Sequence, residues 1–147
     1  MSFKVESKIG KSACMDEDLF DFLSDFTKFT KLLPPQHQAN ISATQNECRI
    51  NAGIMGSIVL TYEELERPKL IKITPAAGNE KIRIWIQLKQ VGPYDTRVKV
   101  TISIEAGFMA KMMVKSQIEQ FADRLVDGIC QIQPYLLSQA NQSYRYN

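Results

Sequence analysis

The sequence has one histidine, three cysteines and a net charge of only +2, from 18 Lys+Arg against 16 Asp+Glu. Each shortage excludes something. Cys14, Cys48 and Cys130 are odd in number, widely spaced and without a C-x-x-C pair. That pattern fits neither a disulfide framework nor a cysteine zinc site, and it reads as small buried thiols in a reducing compartment. His37 stands in Leu33-Pro34-Pro35-Gln36-His37-Gln38, a connecting segment with no acidic or cysteine cluster beside it. It reads as a loop residue, and neither a metal site nor a cofactor is expected. The motifs G-x-S-x-G, G-x-x-x-x-G-K-[ST] and G-x-G-x-x-G are all missing, which removes most nucleophilic, phosphoryl-transfer and dinucleotide chemistry. A near-neutral chain lacks the basic surface that phosphate contacts need, so nucleic acid is not an expected partner. No apolar run approaches the about 20 residues that cross a bilayer. The opening Met1-Ser2-Phe3-Lys4-Val5-Glu6 has no apolar signal core. A cytoplasmic protein without integral membrane association is the expectation.

What is present is alternation. With 147 residues, the chain can form one domain that buries roughly two-thirds of its unfolded surface. In the segment from Lys81 to Lys89, Ile82, Ile84, Ile86 and Leu88 share one face. From Arg97 to Glu105, Val98, Val100, Ile102 and Ile104 do the same. Period-two runs of this kind are half-buried antiparallel strands, and Gly92-Pro93-Tyr94-Asp95 between them supplies a hairpin turn. Four weaker strands precede them: 40–43, 47–51, 58–64 and 70–74. A strand also opens the chain, with Phe3, Val5, Ser7 and Ile9 on one face.

Two regions are helical. Asp16-Glu17-Asp18 places carboxylates in a first turn, followed by Leu19, Leu23 and Phe26 at helical spacing. Ser24-Asp25 caps a second short helix, which Pro34-Pro35 ends. After Gly107 a long helix carries the stripe Ile118, Phe121, Ala122, Leu125, Ile129 and Ile132, opposed by Lys115, Glu119, Asp123 and Asp127. The expected domain is 1–133, with 134–147 a polar C-terminal tail that is frayed or disordered.

The order is therefore strand, two short helices, six strands and one long helix, an α+β arrangement with a seven-stranded antiparallel sheet. One helix is too narrow to cover so wide an apolar sheet face, which leaves a space between them. This order resembles the helix-grip fold of the START/Bet v1-like (SRPBCC) superfamily, with its polyketide cyclases and Coq10-like proteins. The local landmark is Leu19-Phe20-Asp21-Phe22-Leu23-Ser24-Asp25, similar to that family's V/L-F-x-F-L-x-D turn between helices. The resemblance implies an apolar cavity that binds a lipid-, polyketide- or quinone-like molecule.

The residues expected to line such a cavity are Phe26, Phe29, Ile50, Ile58, Leu60, Tyr62, Ile73, Ile84, Ile86 and Val100. Met109, Met112 and Met113 join them near the start of the long helix, their flexible thioethers suited to varied guests. Tyr62 continues the Ile58–Leu60 face, where its hydroxyl meets either a ligand or a backbone group. Glu64, next on that alternation, is a candidate general base if buried, and Ser7 is a further polar candidate. Lys72, Arg83, Lys89, Arg97 and Lys99 fall on the outer face with interspersed acids, as does Trp85, the only tryptophan. Unless Tyr94 covers it, Trp85 marks a homodimer or partner surface. Carriage of a hydrophobic small molecule is the leading reading. A cyclase- or dehydratase-type enzyme and an interaction module with a filled interior are the alternatives.

Overall fold

The computed structural model describes residues 2–33, 35–51, 56–76, 82–105 and 115–137. The strands are β1 (Ser2–Glu6), β2 (Gly10–Ser12), β3 (Ile41–Ala43), β4 (Glu47–Asn51), β5 (Ser57–Glu66), β6 (Leu70–Pro75), β7 (Ile82–Gly92) and β8 (Asp95–Glu105). Helices α1 (Asp16–Leu23) and α2 (Phe26–Phe29), a 3-10 turn (Thr30–Leu32) and α3 (Pro35–Gln38) lie between β2 and β3, and α4 (Lys115–Cys130) follows β8. The sheet is antiparallel and open, in the order β1-β8-β7-β6-β5-β4-β3, with β2 also on β8.

Register explains the core. Val5 stands opposite Ile102, Ile102 opposite Ile84, Ile84 opposite Ile73 and Ile73 opposite Tyr62. One turn of pleat away, Val100, Ile86 and Ile71 form the parallel row. These rows make the inner face. Leu19, Phe20 and Leu23 of α1, Phe26 and Phe29 of α2, and Ile118, Ala122, Leu125, Val126 and Ile129 of α4 belong to the same buried cluster. The hairpin expected around Gly92–Asp95 is there, with Tyr94 in the left-handed region at φ 56°.

Asp25 caps α2 as its position suggests, its Oδ1 accepting from the Thr27 N–H at 2.9 Å and from the Thr27 hydroxyl at 2.6 Å. The β5–β6 turn is tied to α1 by Arg67, whose Nε and second guanidinium nitrogen donate to the two Asp21 oxygens at 2.9 and 3.1 Å.

Several expectations are corrected. The opening strand is not continuous, because the chain leaves the sheet between β1 and β2 and Ile9 is 66 % exposed. Ser7 fills that break: its Oγ accepts from the Val100 N–H at 2.8 Å and donates to the Lys8 carbonyl at 2.7 Å. The α2 and 3-10 run ends at Leu32, ahead of Pro34-Pro35 as expected, but Pro35 also opens α3, since a proline tolerates the first helical position, and this places His37 in a helical turn rather than a loop. The polar side of α4 also makes contacts that the sequence did not suggest: the Asp123 carboxylate accepts from the Lys8 backbone N–H at 2.8 Å, and Asp127 pairs with the Lys8 ammonium at 2.7 Å. The fold also continues past Pro134, where residues 134–137 form a helical turn and Leu137 is buried in the core.

Candidate functional site

The long helix is seated to one side of the inner face. The α4 backbone runs closest to β8, β1, β2 and the 3-10 turn. Gly10 makes this possible: a β-carbon there would overlap Val126 Cγ1 and lie 2.7 Å from Cys130 Sγ. The two Lys8 contacts hold the same stretch of α4 to the break between β1 and β2. At the far end of the helix Cys14 Sγ lies 3.4 Å from the Ile132 carbonyl, an S–H donor on a backbone acceptor.

Away from α4, the inner face is less completely covered. Leu60, Ile73, Ile86 and Val100 are buried, as are Phe26 and Phe29. Ile50, Ile58, Tyr62, Ile82 and Ile84 share their face yet are only half-buried. Ile50 pairs with Ile58 across β4 and β5, and Ile84 pairs with Ile73, which pairs with Tyr62. They form an apolar strip that reaches the end of the sheet where β5 and β7 begin. The opposite end is closed by α1 and α2. Phe26 stacks on Tyr62 with ring centroids 4.1 Å apart, and the Tyr62 hydroxyl donates to the Leu23 carbonyl at 2.6 Å. Met109, Met112 and Met113 lie outside the described residues.

The Tyr62 hydroxyl therefore reaches a backbone group. Burial raises its pKa far above the ordinary tyrosine value, and the negative charge of Asp25 adds to this. Because the folded chain holds a proton that the unfolded chain releases near pH 10, Tyr62 contributes stability that is complete below that pH and falls above it. Tyr62→Phe should lower stability at pH 7 by about 1–3 kcal/mol, since the Leu23 carbonyl loses its partner, and should flatten the loss above pH 10. Urea titrations of both forms at pH 7 and pH 10.5 check this; an unchanged midpoint at pH 7 would contradict the hydrogen bond.

Glu64 is not on this face. A bulge follows Tyr62, so that Tyr62 pairs with Ile73 whereas Glu64 pairs with Lys72, and the extra residue turns Glu64 outward and leaves it exposed. Ser7 faces inward but spends its hydroxyl on the backbone. On the outer face, Trp85 is half-buried between lysines, with Lys4 Nζ 5.5 Å and Lys72 Nζ 5.7 Å from its ring centroid. Tyr94 is 69 % exposed at its turn, so the cover for Trp85 comes from lysine stems. Lys72, Arg97 and Lys99 are paired with Glu63, Asp95 and Glu6, which dilutes the basic face.

Sequence reasoning missed the part played by Lys8 and Gly10. Gly10 carried a signal, because a glycine in a strand pattern marks a bulge or a close approach of another element. Among the described residues, no three His, Cys, Asp or Glu side chains form a group able to hold a metal. Burial raises the pKa of Cys14 and Cys48, and pushes that of Cys130 up to about 11. Iodoacetamide at pH 7.5 should therefore leave Cys14 and Cys48 unmodified in the folded protein while alkylating both rapidly in urea. Peptide mass mapping reads this, and rapid labelling of either in the folded state would contradict their burial. No described helix is long and apolar enough to cross a membrane.

The architecture is that of a recognised class. An open antiparallel sheet gripping a C-terminal helix, with short helices after the first strands, is the Bet v1-like/START fold, and this chain has it. No family model matches the sequence, and no curated protein matches it in sequence. Among solved structures, norcoclaurine synthase from Thalictrum flavum, a point mutant in complex with a transition-state analogue, is 10% identical over 96% of this chain and 97% of its own, with a TM-score of 0.63. A START superfamily protein from Mycobacterium smegmatis is 19% identical over 88% of this chain and 99% of its own, with a TM-score of 0.57. The Aha1 dimer from Colwellia psychrerythraea is 18% identical over 88% of this chain and 97% of its own, with a TM-score of 0.56. At these identities the likeness is one of fold.

Proposed function

We propose that this protein binds a hydrophobic small molecule on the half-buried strip between the sheet and α4. One observation carries the reading: Ile50, Ile58, Tyr62, Ile82 and Ile84 face inward but are less covered than Leu60, Ile73, Ile86 and Val100 of the same face, because α4 sits over β8, β1 and β2. Apolar surface left unsealed between a sheet and a helix is stabilised by an apolar guest, at roughly 25 cal/mol per Å² removed from water. Norcoclaurine synthase supports the reading at the level of fold, since one of its structures holds dopamine and hydroxybenzaldehyde. A lipid-, polyketide- or quinone-like guest suits an aliphatic wall with an aromatic floor at Phe26 and Tyr62. Carriage is preferred over catalysis, because the Tyr62 hydroxyl is committed to the Leu23 carbonyl and Glu64 lies on the other face.

Nile red, an uncharged apolar dye, tests the reading. Titrated into the protein, it should show saturable fluorescence enhancement at one dye per chain. Trp85, on the outer face, should keep its emission maximum throughout. Absence of saturable binding would overturn the proposal.

A further inference from the structure

We propose that the site discriminates by charge, accepting uncharged guests and rejecting ionised ones of the same length. The inference rests on the ligand-binding reading and adds the ligand's charge state to it. Among the described residues, the inward positions of β4 to β7 from Cys48 to Ile84 are aliphatic apart from Cys48 and Tyr62. The hydroxyl proton of Tyr62 is given to the Leu23 carbonyl, and the Ser7 hydroxyl proton to the Lys8 carbonyl. A carboxylate on the strip would therefore leave its hydration shell without receiving a donor from these two hydroxyls in exchange. Moving an ionised group into such surroundings costs far more than moving a neutral one.

The local field has the same sense. Asp25 is buried at the N-terminus of α2, one residue before Phe26, the ring that stacks on Tyr62. Burial is the main force against a phenolate at Tyr62 and the Asp25 charge adds to it; a ligand carboxylate beside that ring would meet both. Lys28, buried on the same helix, interacts electrostatically with Asp25 and Asp21. Its own pKa is lowered, with desolvation the largest cause, so water is poorly available at this corner.

A matched pair of competitors tests the inference. Decan-1-ol and decanoate differ at the head group and share the ten-carbon chain. With Nile red bound, decan-1-ol at pH 7.5 should displace the dye at a concentration at least tenfold lower than decanoate. Lowering the pH from 7.5 to 5.5 should then strengthen decanoate by about tenfold per pH unit, as its neutral acid fraction grows, and leave decan-1-ol unchanged. Circular dichroism over the same range confirms that the protein stays folded. Decanoate as potent as decan-1-ol at pH 7.5, or a decanoate potency that does not change with pH, overturns charge discrimination and leaves the binding site standing. Failure of Nile red and both competitors to bind overturns the binding reading, and this inference with it.

Discussion

Gly10→Val should destabilise the protein by about 3 kcal/mol, lowering its melting temperature by about 6–12 °C. The space a side chain would need is already taken by Val126 Cγ1 and Cys130 Sγ of α4. Val126 is fully buried, so it cannot retreat without moving the helix. The Lys8 contacts to Asp123 and Asp127 resist that movement two residues away in sequence. Gly92→Ala is the matched control: nothing lies within 4 Å of a β-carbon there, and the change should cost less than about 0.5 kcal/mol. Urea midpoints of the two variants decide the matter. A Gly10→Val protein as stable as its parent would mean that α4 does not lie against β2 as described.

Enlarging two neighbouring isoleucines should have opposite consequences. Ile84 and Ile86 both face inward from β7, but Ile86 is fully buried between Ile71 and Val100 whereas Ile84 is half-buried on the strip. Ile86→Phe overpacks a closed position and should cost about 1–3 kcal/mol. Ile84→Phe enlarges a side chain that is only half-buried, so its stability should stay within about 0.5 kcal/mol of the parent. It should also reduce Nile red affinity tenfold or more by occupying the guest's volume. Thermal melts and dye titrations on the same samples separate the two effects. Equal destabilisation at both positions would show that the strip is filled by the protein's own side chains.

Much of this fold was legible in the sequence because period-two alternation is strict wherever one face is buried. Ile82 to Leu88 and Val98 to Ile104 fixed two central strands and their shared face, and the register places them as the alternation requires. The acidic first turn of α1 and the Asp25 cap were equally legible. The failures have one physical cause: a regular period was extended through an irregular residue. Glu64 followed the Ile58–Leu60–Tyr62 face only if no bulge intervened, and a bulge does. Ile9 followed Val5 only if the first strand ran unbroken, and Lys8 instead leaves the sheet to bond α4.

The strip is less legible than the fold for a different reason. Alternation identifies which residues face inward, but how far a helix stands off is set by contacts distant in sequence. Here Gly10 meets Val126, and Lys8 meets Asp123 and Asp127. Tyr62 shows the same limit: its face could be read, but its Leu23 partner lies 39 residues away.

Isoleucine methyl groups give the most direct view of the central claim, because they populate both the strip and the sealed core. In a protein labelled with 13C at the isoleucine δ1 methyls, titration with decan-1-ol should produce saturable shifts at Ile50, Ile58, Ile82 and Ile84. Ile129, sealed on the buried face of α4, and Ile9, out in solvent, should stay in place. Shifts confined to Ile9, or no saturable shift at any isoleucine, would contradict a guest held between the sheet and the helix.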